Sequence, residues 1–168
     1  MTTFAEPFEM LSACHERITR MLSLLERLRA HLRTHGNDAQ ARQAARDVMR
    51  YFDLAAPQHH LDEELHVFPP ILSRGDPALV ALVRRLQQDH REMEAGWAAA
   101  RPVLDAIAQG GPGQPDAAGA ATLDAFAALH ADHLAAEEDR VYPAAQAGLE
   151  PGALAAMTSE MMKRRGVS

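Results

Sequence analysis

The chain has a single cysteine, Cys14, in 168 residues, so an internal disulfide framework is excluded and a reducing compartment is expected. Aromatic residues amount to 5%, and β-branched residues rarely run together, which argues against a β-rich fold. Cations are in the minority, 17 Lys and Arg against 23 Asp and Glu. The resulting net charge of −6 disfavours nucleic acid or an anionic membrane as the main partner. Nowhere does an apolar run approach the roughly 20 residues that span a bilayer. The opening stretch, Met1 to Glu6, lacks the basic start and apolar centre of a signal peptide, so a cytoplasmic location is expected.

What is abundant is alanine-rich, amphipathic sequence. Hydrophobic residues make up 47% and charged residues 24%, the composition of a helical domain, and the length suits one domain. Apolar residues recur at three- and four-residue steps in four long segments. The first is expected over about residues 6–35, with Phe8, Leu11, Ile18, Leu22 and Leu25 on one face and Gly36-Asn37 as its stop. A second runs from near Asp38 to Pro69-Pro70, kinked at Pro57, with Ala45, Val48, Phe52, Ala56 and Val67 in its stripe. A third begins at Asp76-Pro77, an N-cap followed by proline at the first helical position, and carries Leu79, Leu82, Leu86, Met93, Trp97 and Leu104. Pro102 is expected to bend its end. After the loop 109–115, a fourth spans about Asp116 to Pro143. A shorter helix, about 152–165, presents Leu154, Met157 and Met161, and the basic Lys163-Arg164-Arg165 reads as cations at its C-terminus. The fold expected is all-α: an up-down-up-down four-helix bundle, core about 8–145, with a short extra C-terminal helix.

Nine histidines are present, and their placement carries more information than their number. Residues 59–69 and 133–143 share one pattern: His, a glutamate four later, a second glutamate, then Val-aromatic-Pro. The pairs are His59/His133, Glu63/Glu137, Glu64/Glu138, Val67/Val141, Phe68/Tyr142 and Pro69/Pro143, each 74 residues apart. The other two helices repeat as well, Leu11, His15 and Ile18 matching Leu86, His90 and Met93 at an offset of 75. The chain therefore reads as two copies of a helical hairpin, each with one isolated histidine and one His-x3-Glu.

Residues four apart share a helix face, so His59 with Glu63, and His133 with Glu137, can aim at one interior point. The apolar stripes turn His15 and His90 inward too. Buried carboxylates without compensation are very costly, and metal cations offset that charge directly. A mixed imidazole and carboxylate set suits iron, manganese or zinc better than magnesium or calcium. A lone histidine on an apolar face is ordinarily a hydrogen-bonded core residue; it is the duplicated motif that makes this set a metal site.

The pattern resembles the hemerythrin-like, or HHE cation-binding, domains over about residues 8–145. The resemblance implies a non-haem centre of two irons, with Glu63 and Glu137 as bridges and His15, His59, His90 and His133 as terminal ligands. It also implies a small ligand, O2, NO or peroxide, handled by a sensor or binding module, or alternatively by a di-iron enzyme reducing peroxide or NO or donating iron. The family's oxygen carriers have a second histidine one turn after the helix-three histidine, where this chain has Glu94, so O2 transport is not expected. Being one turn after His90, Glu94 is expected to approach the metal on that side. His130, one turn before His133, reads either as a residue supporting the ligands or as a replacement fifth ligand. Glu64 and Glu138 read as solvated, with Glu138 an alternative to Glu137 as bridge. His60 and His66 read as peripheral, and His31 and His35 as ordinary residues near a helix C-terminus. A ferritin-like site needs Glu-x-x-His twice and only Glu63-x-x-His66 occurs; a His-Glu-x-x-His zinc motif is lacking.

Overall fold

The computed structural model describes residues 7–166, and among them every regular element is helical. Met1 to Glu6, on which the signal-peptide reading rests, lie outside the described residues. In chain order the elements are α1 (Pro7–His35), α2 (Ala39–Asp62), a π-helical turn (Glu63–Val67), α3 (Phe68–Arg74) and α4 (Pro77–Ala108). Then follow α5 (Ala117–Ala128), α6 (Ala131–Ala136), a second π-helical turn (Glu137–Val141), α7 (Tyr142–Ala147) and α8 (Pro151–Arg164). They run as helical columns, namely α1, α2 through α3, α4, and α5 through α7, followed by α8. Consecutive columns pack on one another, α1 on α2, α2 on α4 and α4 on α5.

Local chemistry sets the ends. Gly36 takes the left-handed conformation that stops α1, with φ 72°. Asp38, Asp76 and Asp116 each cap the next helix by accepting from backbone amides of Ala41, of Ala78 and Leu79, and of Gly119. α2 and α4 run on through Pro57 and Pro102.

Two expected boundaries differ. The second column continues past Pro69-Pro70 to Arg74, and the fourth past Pro143 to Ala147. In each the helix first widens by a π turn, in which Phe68 N–H donates to the Glu63 carbonyl and Tyr142 N–H to the Glu137 carbonyl. The prolines come immediately after that last long bond, at the first turn of the resumed helix, where a missing N–H costs little. The fourth column also breaks at Leu129-His130. There the His130 ring Nδ1 donates to the Phe126 carbonyl, which the His130 amide would take in a continuous helix, and that amide turns to Ala127 instead.

The apolar core falls into two clusters. One holds Ile18, Leu25, Leu28, Val48, Phe52, Leu104, Leu123 and Phe126. The other holds Phe8, Leu11, Val67, Phe68, Leu86, Val141 and Tyr142, and α8 adds Met157 and Met161 to it. Burying such side chains stabilises the fold by roughly 1.5–3 kcal/mol each. Each column passes from one cluster to the other through a histidine: Leu11 and Ile18 flank His15, Ala56 and Val67 flank His59, Leu86 and Ala100 flank His90, Phe126 and Val141 flank His133. The polar site is the layer between the two oily ends.

Candidate metal centre

His15 comes from α1, His59 from α2, His90 from α4 and His133 from α6, while Glu63 and Glu137 open the two π turns. All six side chains are buried. Their ligand atoms fall into two groups of four, His15, His59, Glu63 and Glu137, and Glu63, His90, His133 and Glu137. Within each group the atoms lie within 4.8 Å of one another, and both glutamates belong to both groups. Glu63 Oε1 is 3.3 Å from His59 Nε2 and 3.3 Å from His90 Nε2. Glu137 Oε1 is 2.8 Å from His133 Nε2 and 3.5 Å from His15 Nε2. Yet Glu63 Oε1, both Glu137 oxygens and Nε2 of His59, His90 and His133 are buried without a hydrogen-bond partner among the described residues. These atoms crowd a common centre without bonding one another, an arrangement that a cation satisfies and water-free protein does not.

The outward nitrogens of three histidines are held by carboxylates. His15 Nδ1 lies 2.7 Å from Glu138 Oε1, His90 Nδ1 2.9 Å from Glu64 Oε1, and His133 Nδ1 3.0 Å from Asp89 Oδ2. A carboxylate acceptor places the proton on Nδ1 and leaves the Nε2 lone pair facing the centre. Ser12 donates to Glu138 and Gln87 to Glu64, again at the repeat offset of 75. The second glutamate of each motif thus reaches across to the isolated histidine of another column. Glu64 and Glu138, expected from the sequence to be solvated, instead bond His90 and His15; the doubled Glu-Glu is the signal for it. Glu138 is therefore a partner of His15 and stands outside both groups of four.

The halves are not equal. Asp89 precedes His90, and the matching residue before His15 is Cys14, so His59 Nδ1 has no partner. Tyr142 stacks on His15 at 5.2 Å and donates to Glu63 Oε2 at 2.7 Å, whereas its counterpart Phe68 only stacks on His90, at 5.6 Å. Asp62, immediately before Glu63, is fully buried and paired with Arg164 and Arg165 at the end of α8; its counterpart is Ala136. The basic end of α8 is therefore a clamp on the first motif, in addition to being a cationic helix terminus.

Burial pulls the His59 imidazole down to about 4, the pull of Glu63 notwithstanding. Burial lowers His133 as well. It also works against charge on His90, but Glu63 and Glu64 outweigh it and raise that group. Burial alone would raise Glu63; His59 and His90 hold it far below the usual carboxylate range instead. Burial and the Glu63 carboxylate push the Tyr142 phenol well above its ordinary value.

Three sequence expectations are revised. Glu94 is exposed and belongs to neither group of four, because the buried position one turn beyond His90 is taken by Met93. His130 is buried but bonds the Phe126 carbonyl and packs on Phe126 and Phe52, outside both groups. His60 is not peripheral: its ring stacks on His90 with centroids 4.2 Å apart. His66 lies beside Glu160 of α8 at 3.3 Å, and His31 bonds the capping Asp38, both away from the centre.

A helical bundle with two histidine–glutamate groups at its waist defines a class of cation-binding protein. The chain matches the hemerythrin HHE cation-binding domain over residues 6–145 and belongs to that family. It is also 32% identical over 105 residues to an uncharacterized protein of Haemophilus influenzae, an alignment spanning 62% of this chain and 60% of that protein. No helix of the described residues is long and apolar enough to cross a membrane.

Proposed function

We propose that this chain is a single-domain, up-down-up-down bundle that binds two iron ions, bridged by Glu63 and Glu137. One would be held further by His15 and His59, the other by His90 and His133. Zinc or manganese would be substitutes suited to the same donors. The observation that carries this reading is the set of orphaned, buried Nε2 and carboxylate atoms arranged as two groups sharing both glutamates. Four histidines and two carboxylates give each ion an even share of donors. With Glu94 exposed, neither position acquires the extra protein donor that the family's oxygen carriers have, which leaves room for an outside ligand. The function that follows is sensing or handling of O2, NO, peroxide or iron in the cytoplasm, with O2 transport disfavoured.

Bound iron would supply Lewis acidity and one-electron chemistry. The protein's own work is to hold imidazole tautomers through Glu138, Glu64 and Asp89, to keep water out with the two apolar clusters, and to fix Glu63 through the Tyr142 hydroxyl. Metal analysis of protein from iron-supplemented growth tests the reading: two irons per chain are expected, and a protein that takes up no transition metal refutes it.

A further inference from the structure

Between α2 and α4 lies a cleft of ≈ 370 Å³ that leads to the His90 side of the centre. Its deep wall is apolar, formed by Phe52, Ala56, Met93 and Trp97, and its rim carries Glu64, Glu94 and Arg91. His60 stands at its inner end. The His60 ring covers His90 at 4.2 Å and lies 5.9 Å from the ring of His59, so it bridges ligands of both proposed metal positions. It makes no hydrogen bond to another described residue and is held there by stacking alone.

The repeat supplies a built-in control. The related groove on the other face is lined by Ser12, His15, Thr19, Leu134 and Glu138, which match Gln87, His90, Glu94, His60 and Glu64. That groove has no deep apolar wall. Where the first face has the small Ala56, the second has the buried ring of His130; Ile18 and Leu22 stand for Met93 and Trp97. Leu134, packed on the core, stands where His60 is. The first face ends on the stacked ring of His60; the second is a more open groove of ≈ 490 Å³ that lacks the Phe52, Met93 and Trp97 wall.

We propose that the α2–α4 cleft is the route and holding site for a small uncharged ligand, of the kind of NO or O2, which reaches the metal pair on the His90 side past the ring of His60. This rests on the metal reading above. Two carboxylates against one guanidinium at the rim repel anions, and the apolar wall favours uncharged molecules. A half-buried ring without hydrogen bonds can swing on the fast timescale of side-chain motion, so His60 acts as a steric gate.

The test uses iron-loaded, reduced protein mixed rapidly with NO. Glu94→Trp places bulk at the rim from an exposed position, and it should slow NO association about tenfold, while Thr19→Trp at the matching exposed site on the other face should change it less than about twofold. His60→Ala removes the gate and should speed association. A metal-independent readout is available in Trp97, the only tryptophan in the sequence, because it lines the cleft. Acrylamide should quench its fluorescence more strongly than iodide, and Glu94→Gln should narrow that gap. If Thr19→Trp slows NO as much as Glu94→Trp, or iodide quenches as well as acrylamide, the cleft is not the route. A chain that binds iron and NO at rates indifferent to Glu94→Trp overturns the cleft alone; a chain that takes up no iron overturns the reading beneath it.

Discussion

The two hairpins of this protein are copies in their ligands and differ at several of the residues around them. His59 and Glu63 match His133 and Glu137, His15 matches His90, and even the helper pairs Ser12–Glu138 and Gln87–Glu64 correspond. Several differences lie near the centre: Cys14 against Asp89, Tyr142 against Phe68 and Asp62 against Ala136, with Ala56 against His130 a turn away. A buried cluster needs its charge neutralised in both halves, so the donors are constrained to stay alike. The neighbours face no such demand, and they are where two equal sites can become two different ones.

The strongest test of the likeness is to remove one donor from each half. His59→Ala and His133→Ala should each abolish binding of one ion and weaken the other through the shared glutamates, read by metal content per chain. His35→Ala should leave metal content unchanged, since His35 stacks only on His31. If one of the two ligand variants keeps full metal content, the two groups do not act as a bridged pair. Metal should also raise the melting temperature, because it binds the folded chain alone.

A smaller effect separates the halves through α8. Asp62→Ala strips the buried partner from Arg164 and Arg165, and it should cost about 3 kcal/mol in denaturant unfolding. The matching Ala136 has no such partner, so a polar change there tests packing alone. Loss of less than about 1 kcal/mol would show that the clamp adds little beyond an exposed ion pair.

Much of this was legible in the sequence, because periodicity and repetition are local. The stripes placed Ile18, Phe52, Leu86 and Phe126 in the core and turned His15 and His90 inward, and the duplicated His-x3-Glu added the other four donors at the same level. What escaped depends on neighbouring columns. Glu64 and Glu138 look solvated until α4 and α1 bring His90 and His15 against them. The Val-aromatic-Pro ending looks like a stop, yet it marks a π turn, since proline is tolerated where the hydrogen-bond ladder restarts. Glu94 fails for a simple angular reason: at the next turn beyond His90, Met93 is the residue that points into the core.

Acid should act on the halves through different histidines. His59 and His130 are both held at about 4 by burial, below the ordinary value near 6.5. A histidine whose folded value is depressed binds fewer protons folded than unfolded, so stability is full above about pH 6.5 and falls as pH drops toward 4. Each group contributes up to about 3 kcal/mol of that loss at the lower end. His130→Phe should remove the His130 share in metal-free protein, flattening the profile between those limits. An unchanged slope would mean that His130 is not buried neutral.

The finest comparison concerns the one histidine left without a carboxylate partner. His133 donates Nδ1–H to Asp89, while His59 Nδ1 faces no acceptor because Cys14 occupies the matching place. A carboxylate behind a ligating imidazole fixes its tautomer and makes it a better donor, and loss of such a partner costs roughly 10–100-fold in metal affinity. Asp89→Cys would therefore give the His90–His133 position the same surroundings as the His15–His59 position. The side chain of Asp89 is 23% exposed, so the change opens no large cavity. In a competitive chelator titration the wild-type chain should release its two ions in separate steps, and Asp89→Cys should merge them by weakening the tighter step about tenfold. If the variant still releases its ions in two steps with the original spacing, Asp89 does not set the difference, and the Tyr142 hydroxyl on Glu63 becomes its source instead.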